Sequence, residues 1–275
     1  MQLSFMTFIC PEATLTEVLT SAIKYGYDAA EPRAEANQKH GVELETTKKE
    51  RAQIKASFAD TGVACGCIAT SRTYSMADPD KRRESVELTK KYVDLAHDLG
   101  CPTIRVFGGG TPEGADFCEV KKYVAEALRE CAEHAQKAGV YVCMETHDGY
   151  CKSADLMDVI KLANHPFAAV NWDIMHPFRV GDTIAEAFEA VKDHVRHCHV
   201  HDGVPGPDGG PGGWQLALMG EGQIPHDEAF KLLATIGYKG ALSGEWINFL
   251  PADEVLPHEA NVMRQYRAAA LDALK

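Results

Sequence analysis

Glu145, Asp173, one histidine of the set His197, His199 and His201, and Glu245 each stand near the end of a strand-like run. The clearest run is Tyr141-Val142-Cys143-Met144-Glu145-Thr146-His147-Asp148-Gly149, apolar residues that give way abruptly to acid, hydroxyl and imidazole. It reads as a buried strand whose last residues leave the core, with Glu145 and His147 on one face because strand side chains alternate. The pattern recurs in Ala169-Val170-Asn171-Trp172-Asp173 before His176, in Val195-Arg196-His197-Cys198-His199-Val200-His201-Asp202, and in Ala241-Leu242-Ser243-Gly244-Glu245-Trp246. Three carboxylates and one imidazole suit a divalent cation such as Mn²⁺, Mg²⁺, Co²⁺ or Zn²⁺ rather than a soft thiolate site. Such a cation polarises a ketone or aldehyde and acidifies the neighbouring C–H, so that a carboxylate beside it can take the proton.

Elements that would position these residues follow from periodicity and punctuation. Strands are expected over Leu3–Ile9, Ala29–Arg33, Val63–Ala69, Thr103–Phe107, 140–147, 168–174, 195–201 and 241–246. Helices are expected over Thr14–Tyr25, with Thr14 as cap, and over Thr46–Asp60, Asp80–Leu99, Asp116–Ala138, 153–164, 183–193, Asp227–Ile236 and Glu254–Leu274. Gly62, Gly100 and Gly139 are helix stops. Gly108-Gly109-Gly110 reads as a tight loop and Gly203 to Gly213 as a long Gly/Pro-rich one. Alternating strands and helices imply a parallel sheet, and this many units over residues 1–275 imply a single α/β domain, a closed (β/α)8 TIM barrel. An open doubly wound sheet is the alternative, but no G-x-G-x-x-G follows the first strand. In a barrel every strand delivers its C-terminal residues to one face, which would bring the acids and the histidine together.

The bulk numbers narrow the partners. With 45% hydrophobic and 25% charged residues, the 275-residue chain has the composition of a globular protein with ample core. Its 40 acidic and 28 basic residues give a formal charge of −12, which repels phosphate backbones and anionic lipid; neither nucleic acid nor membrane is an expected partner. Nine scattered cysteines without a C-x-x-C pair point to reduced thiols in a cytoplasmic compartment. The N-terminus lacks the basic region of a signal peptide, and no run approaches the ~18 apolar residues of a membrane span. A homo-oligomer is compatible with this composition.

The same motifs carry a family resemblance. Val200-His201-Asp202 preceded by His199 resembles the H-x-H-x-K-D strand of the xylose-isomerase-like sugar isomerase/epimerase barrels, with His201 at the usual lysine. Met144-Glu145-Thr146-His147 resembles that family's E-x-H strand, and Asp173-Ile174-Met175-His176 its D-x-x-H strand. Gly220-Glu221-Gly222-Gln223-Ile224 and Gly237-Tyr238-Lys239-Gly240 before Glu245 resemble its closing segments. The resemblance covers nearly the whole chain.

What it implies is one divalent metal ion, Mn²⁺ foremost, held by Glu145, Asp173, His199 and Glu245. Glu145 and Glu245 would also be acid and base in a sugar isomerase or epimerase acting on a small carbohydrate. His176 is expected to bind a substrate oxygen or to orient Asp173, and His147 with Asp148 to support a ligand or touch substrate. His201 is expected to reach the substrate, and Glu31 with Arg33 either to reach it or to form an outward salt-bridged pair. A dehydratase of a keto-cyclitol or dehydroshikimate-like compound would begin with the same proton abstraction, and a non-catalytic sugar-binding barrel would keep the same ligands. An apurinic-site endonuclease would need further histidines where the chain has Thr70-Ser71-Arg72 and Phe107-Gly108-Gly109. His197 reads as a packed core histidine, and Trp214 and Trp246 as packing groups or an apolar wall. Arg105 reads as a paired structural residue or one turned toward the helix layer. No lysine or arginine is aimed at the glycine loops, which favours an unphosphorylated sugar or keto-acid.

Overall fold

The computed structural model describes residues 1–207 and 213–275. In chain order the strands are β1 Gln2–Phe5, β2 Ala29–Ala30, β3 Ala64–Cys65, β4 Ile68–Ala69, β5 Thr103–Val106, β6 Tyr141–Glu145, β7 Ala168–Asp173, β8 Val195–Val200, β9 Asp202–Pro205, β10 Trp214–Ala217 and β11 Ala241–Gly244. The helices are α1 Leu15–Tyr25, α2 Lys48–Thr61, α3 Pro79–Leu99, α4 Phe117–Ala138, α5 Ser153–Ala163, α6 Met175–Arg179, α7 Ile184–Val191, α8 His226–Thr235 and α9 Ala252–Asp272.

Parallel strands run in the order β1-β11-β8-β7-β6-β5-β4, and β2 pairs in parallel with β3. The ring closes between β1 and β2, where the amides of Asp28 and Glu31 donate to the carbonyls of Leu3 and Phe5. This is the expected TIM barrel. The expected third strand is broken into β3 and β4 at Gly66-Cys67. A Cβ on Gly66 would lie 3.2 Å from the Ala241 and 3.3 Å from the Ala29 methyl carbons, so the narrow interior accepts only glycine there without a shift.

Local chemistry accounts for the helix bounds. Thr14, Thr47 and Thr183 form capping boxes with Glu17, Glu50 and Glu186, and Asp78 and Asp116 cap α3 and α4. α3 and α4 end on Gly100 and Gly139 at φ 76° and 70°, a left-handed turn that costs glycine little. Besides the broken third strand, and the first strand, which ends at Phe5 rather than Ile9, two segments differ from the sequence expectation. The long Gly/Pro-rich segment is an antiparallel hairpin in its arms, β9 against β10, while residues 208–212 lie outside the described residues. The short helix α6 follows directly from β7.

Strand alternation sorts the side chains. Val142, Met144, Val170, Trp172, Cys198, Val200 and Leu242 join the apolar layer between strands and helices. Their neighbours Cys143, Glu145, Asn171, Asp173, His197, His199 and Ser243 are equally buried but face the barrel interior. An interior this polar is expensive unless its groups are paired, and that expense marks a site.

Candidate active site

Register places the acids and the imidazole together. Asp173 lies beside His199, and Glu145 beside Asn171, in adjacent strands. Glu245 follows β11, its amide donating to the Val200 carbonyl at 3.1 Å, which fixes its exit from the sheet. One ligand atom from each of Glu145, Asp173, His199 and Glu245 lies within 4.8 Å of all the others, and all four residues are buried. His199 Nδ1 is 3.1 Å from Glu245 Oε2 and 3.4 Å from Glu145 Oε1.

These groups fit a hard cation. Both carboxylate oxygens of Glu145 and Oδ2 of Asp173 are buried and accept no well-directed hydrogen bond, their polar neighbours being ion-pair contacts only. Buried carboxylates held by such contacts alone are costly, and three carboxylates with one imidazole are the donors that a divalent ion takes.

A second set of charged groups holds the first. Arg105, fully buried, places Nε 3.1 Å from Glu145 Oε2 and a terminal nitrogen 3.9 Å from Glu245 Oε1, with its guanidinium 4.1 Å over the Phe107 ring. His201 Nε2 is 2.8 Å from Asp173 Oδ2. The Asp173 Oδ1 atom accepts from the His176 amide at 3.0 Å, and the Thr146 hydroxyl accepts from the Asp173 amide at 2.9 Å. Glu31 is wholly buried, with Oε2 2.9 Å from His197 Nε2 and Oε1 3.1 Å from His199 Nε2.

Titration follows these contacts. Burial disfavours a charged His199, but Glu31, Glu145 and Glu245 outweigh it and hold the imidazole well above its usual range. Burial likewise opposes the charge on Glu245, yet His199, Arg105 and His201 bring its carboxyl down to about 2. Asp173 is held well below the usual carboxylate range by His176 and His201 against its own desolvation. Burial drives His176 down to about 4, so near neutral pH it is an uncharged imidazole.

The remaining expected residues are placed as follows. His147 is half-buried, with Nδ1 2.8 Å from Asp148 Oδ1, and its ring lies between those of Phe107 and His176 at 4.8 and 4.6 Å. His201 meets the His176 ring edge-on at 5.2 Å, giving a continuous wall of rings beside the three acids and one imidazole. Glu31 faces the interior as expected, but both its oxygens meet histidines rather than an open mouth. His197 is fully buried on Glu31, a packed and paired core residue. Trp246 is buried in the apolar layer, and Trp214 packs edge-on to Phe178 at 6.2 Å.

Arg105 meets one of the two alternatives that the sequence left open. It is paired, but it points into the barrel and onto the acids, not toward the helix layer. Alternation contained the signal: Ile104 and Val106 belong to the apolar layer, so Arg105 between them must face inward. The glycine run is a close-packed loop, since a Cβ on Gly108 would lie 2.3 Å from the Tyr150 ring. A separate cavity of about 540 Å³ opens at the strand beginnings, lined by Thr103, Tyr141, Val195, Arg196 and Ala241, and touches none of the acids.

Comparison with known proteins agrees with this fold. The family model described as xylose isomerase-like TIM barrel matches residues 19–266. The L-ribulose-5-phosphate 3-epimerase UlaE of Escherichia coli (strain SMS-3-5 / SECEC) is 24% identical over 235 residues, 82% of this chain and 79% of that protein. A solved L-ribulose 3-epimerase superposes with TM-score 0.81 at 16% identity, covering 99% of this chain and 96% of the other. The probable 3-DHS dehydratase AsbF from Bacillus anthracis superposes with TM-score 0.78 at 17% identity, covering 96% and 98%. No helix among the described residues is long and apolar enough to cross a membrane.

Proposed function

The chain belongs to the xylose isomerase-like TIM-barrel family, and from that premise we propose that it is a divalent-metal-dependent epimerase or isomerase of a small ketose. The observation that carries the proposal is the convergence of Glu145, Asp173, His199 and Glu245, all buried, to ligand distances within 4.8 Å. When bound there, a divalent cation with Mn²⁺ as first choice supplies Lewis acidity that polarises the substrate carbonyl and acidifies the adjoining C–H.

The protein's own groups do the rest. Glu145 and Glu245 leave strands on different sides of the ring, so one can remove a proton from one face of the sugar while the other returns it to the opposite face. Arg105 keeps an opposite charge beside both carboxylates. Neutral His176, flanked by His147 and His201, presents an imidazole edge to hydroxyl or carbonyl oxygens of the sugar.

An unphosphorylated substrate suits the engagement of three arginines on the barrel strands and their loops. Arg105 is engaged by Glu145, Arg72 by Glu35, and Arg33 by the Ala34 carbonyl and the Ser71 hydroxyl. That reading separates this chain from the phosphorylated substrate in the name of UlaE.

The test is metal analysis of the purified protein, then solvent-deuterium exchange into free ketoses, ketose phosphates and keto-cyclitols with Mn²⁺ supplied. About one ion per chain and deuterium entering a free ketose support the reading. Loss of water from a keto-cyclitol without epimer formation would replace it by a dehydratase on the same scaffold. Failure to retain any of Mn²⁺, Mg²⁺, Co²⁺ or Zn²⁺ would overturn the site itself.

A further inference from the structure

A buried carboxylate beneath the four candidate ligands has no assigned task. Glu31 leaves the short second strand, is fully buried, and spends one oxygen on each of two imidazoles from β8. Both contacts are to Nε2, at 2.9 Å for His197 and 3.1 Å for His199. A carboxylate accepts hydrogen bonds, so each Nε2 must carry a proton. For a neutral His199 this leaves Nδ1 unprotonated with its lone pair exposed to the site, where Glu145 and Glu245 lie at 3.4 and 3.1 Å and Asn171 Nδ2 at 3.1 Å.

We propose that Glu31 is a positioning residue: it fixes the tautomer and ring orientation of His199 so that Nδ1, not Nε2, is presented to a divalent cation. This rests on the proposed metal site and deepens it. Ligating histidines commonly give their other N–H to a carboxylate, which orients the ring and raises its basicity. Glu31 is therefore not a substrate contact; its oxygens lie below His199 and are already used.

His197 makes the arrangement tolerant in one direction. Its Nδ1 is buried with no partner, so nothing holds its proton on Nε2 except Glu31. In Glu31→Gln the amide can place Oε1 on His199, which keeps its tautomer, and NH₂ on His197, which can move its proton to Nδ1. Glu31→Leu offers His199 no acceptor at all.

The experiment measures equilibrium Mn²⁺ binding, by electron paramagnetic resonance of the free ion, to wild type, Glu31→Gln and Glu31→Leu. Expected is a loss of affinity of about ten- to a hundredfold in Glu31→Leu, against a small change in Glu31→Gln. Histidine-selective ¹⁵N NMR of wild type with diamagnetic Zn²⁺ needs no variant to fold: the ion should shift His199 Nδ1 while Nε2 keeps its proton. Wild-type Mn²⁺ affinity in folded Glu31→Leu, or Zn²⁺ shifting Nε2 of His199, would overturn the inference and leave the metal site standing. No ion bound by wild type would instead overturn the metal site, and this inference with it.

Discussion

Arg105 Nε lies 3.1 Å from Glu145 Oε2 in a pair of which each side chain is 1% exposed. Two charges so buried were removed from water at a cost their attraction must offset, and removing one leaves the other uncompensated. Arg105→Met should lower the stability of the metal-free protein by about 3–5 kcal/mol. Mn²⁺ should narrow that gap, because the proposed cation would share the charge of the same carboxylate. Urea unfolding with chelator and with Mn²⁺ checks both parts. An Arg105→Met protein as stable as wild type in chelator would show that the pair is not the site's internal counter-charge.

Glu145 and Glu245 should not fail in the same way. If each serves one face of the sugar, Glu145→Gln and Glu245→Gln each abolish epimer formation, with a loss of about 10²–10⁴-fold. Each variant should still exchange solvent deuterium into only one of the two epimers, and a different one in each case. Mass spectrometry of both epimers after incubation in D₂O reads this directly. Equal residual exchange into both epimers in either variant would mean that a single base serves both faces.

Much of this was legible because local chemistry and tertiary demand agree. Thr14 followed by Glu17, or Gly100 after a long amphipathic run, states a helix bound without help from the rest of the chain. The three acids and one imidazole were legible because parallel strands in a barrel all point the same way, which turns position along a strand into position in space. The pairing of Glu31 with histidines 166 and 168 residues away was not, since nothing local names the partner of a buried acid. Arg105 was left between a paired interior residue and the helix layer because an arginine inside a small barrel is unusual, although the alternation of Ile104 and Val106 around it points it inward. The β9–β10 hairpin was hidden by glycines and prolines, whose turn signal masked the short arms on either side.

Asp202, next to His201, ties the loop after the hairpin to the barrel. Its carboxylate accepts from the amides of Gly203, Gly220, Gly222 and Ile224 at 2.8, 2.9, 3.1 and 3.1 Å. A Cβ on Gly222 would lie 2.0 Å from Asp202 Oδ1 and 2.6 Å from the Gly203 nitrogen, so it cannot enter without breaking that set. Gly222→Ala should cost about 3 kcal/mol and lower Tm by roughly 6–12 °C. Gly110→Ala, where an added Cβ meets nothing within 4 Å, should stay within about 0.5 kcal/mol. Calorimetry on the two variants gives the comparison, and equal Tm values would refute the close contact.

Glu259 in α9 should make stability depend on pH near neutrality. The residue is fully buried, and its Oε1 accepts from the Met219 amide at 2.9 Å while Oε2 has no partner. Burial pushes its carboxyl up to about 7; the Met219 hydrogen bond opposes this, and the charges of Asp202 and Glu221 add to it. His258 Nδ1, 3.5 Å away, is the nearest basic group. A carboxyl whose pKa is raised by folding binds its proton more tightly in the folded chain than in the unfolded one. The stability it lends is complete below its ordinary value of 4.5 and is lost as pH rises through about 7. Across that window the loss should reach about 3 kcal/mol as an upper bound. Glu259→Gln keeps an acceptor for Met219 and carries no charge, so it should be more stable than wild type at pH 8 and nearly equal to it at pH 5. Urea melts at the two pH values decide it: a difference between the proteins that does not grow from pH 5 to pH 8 would mean that Glu259 is not the group that titrates.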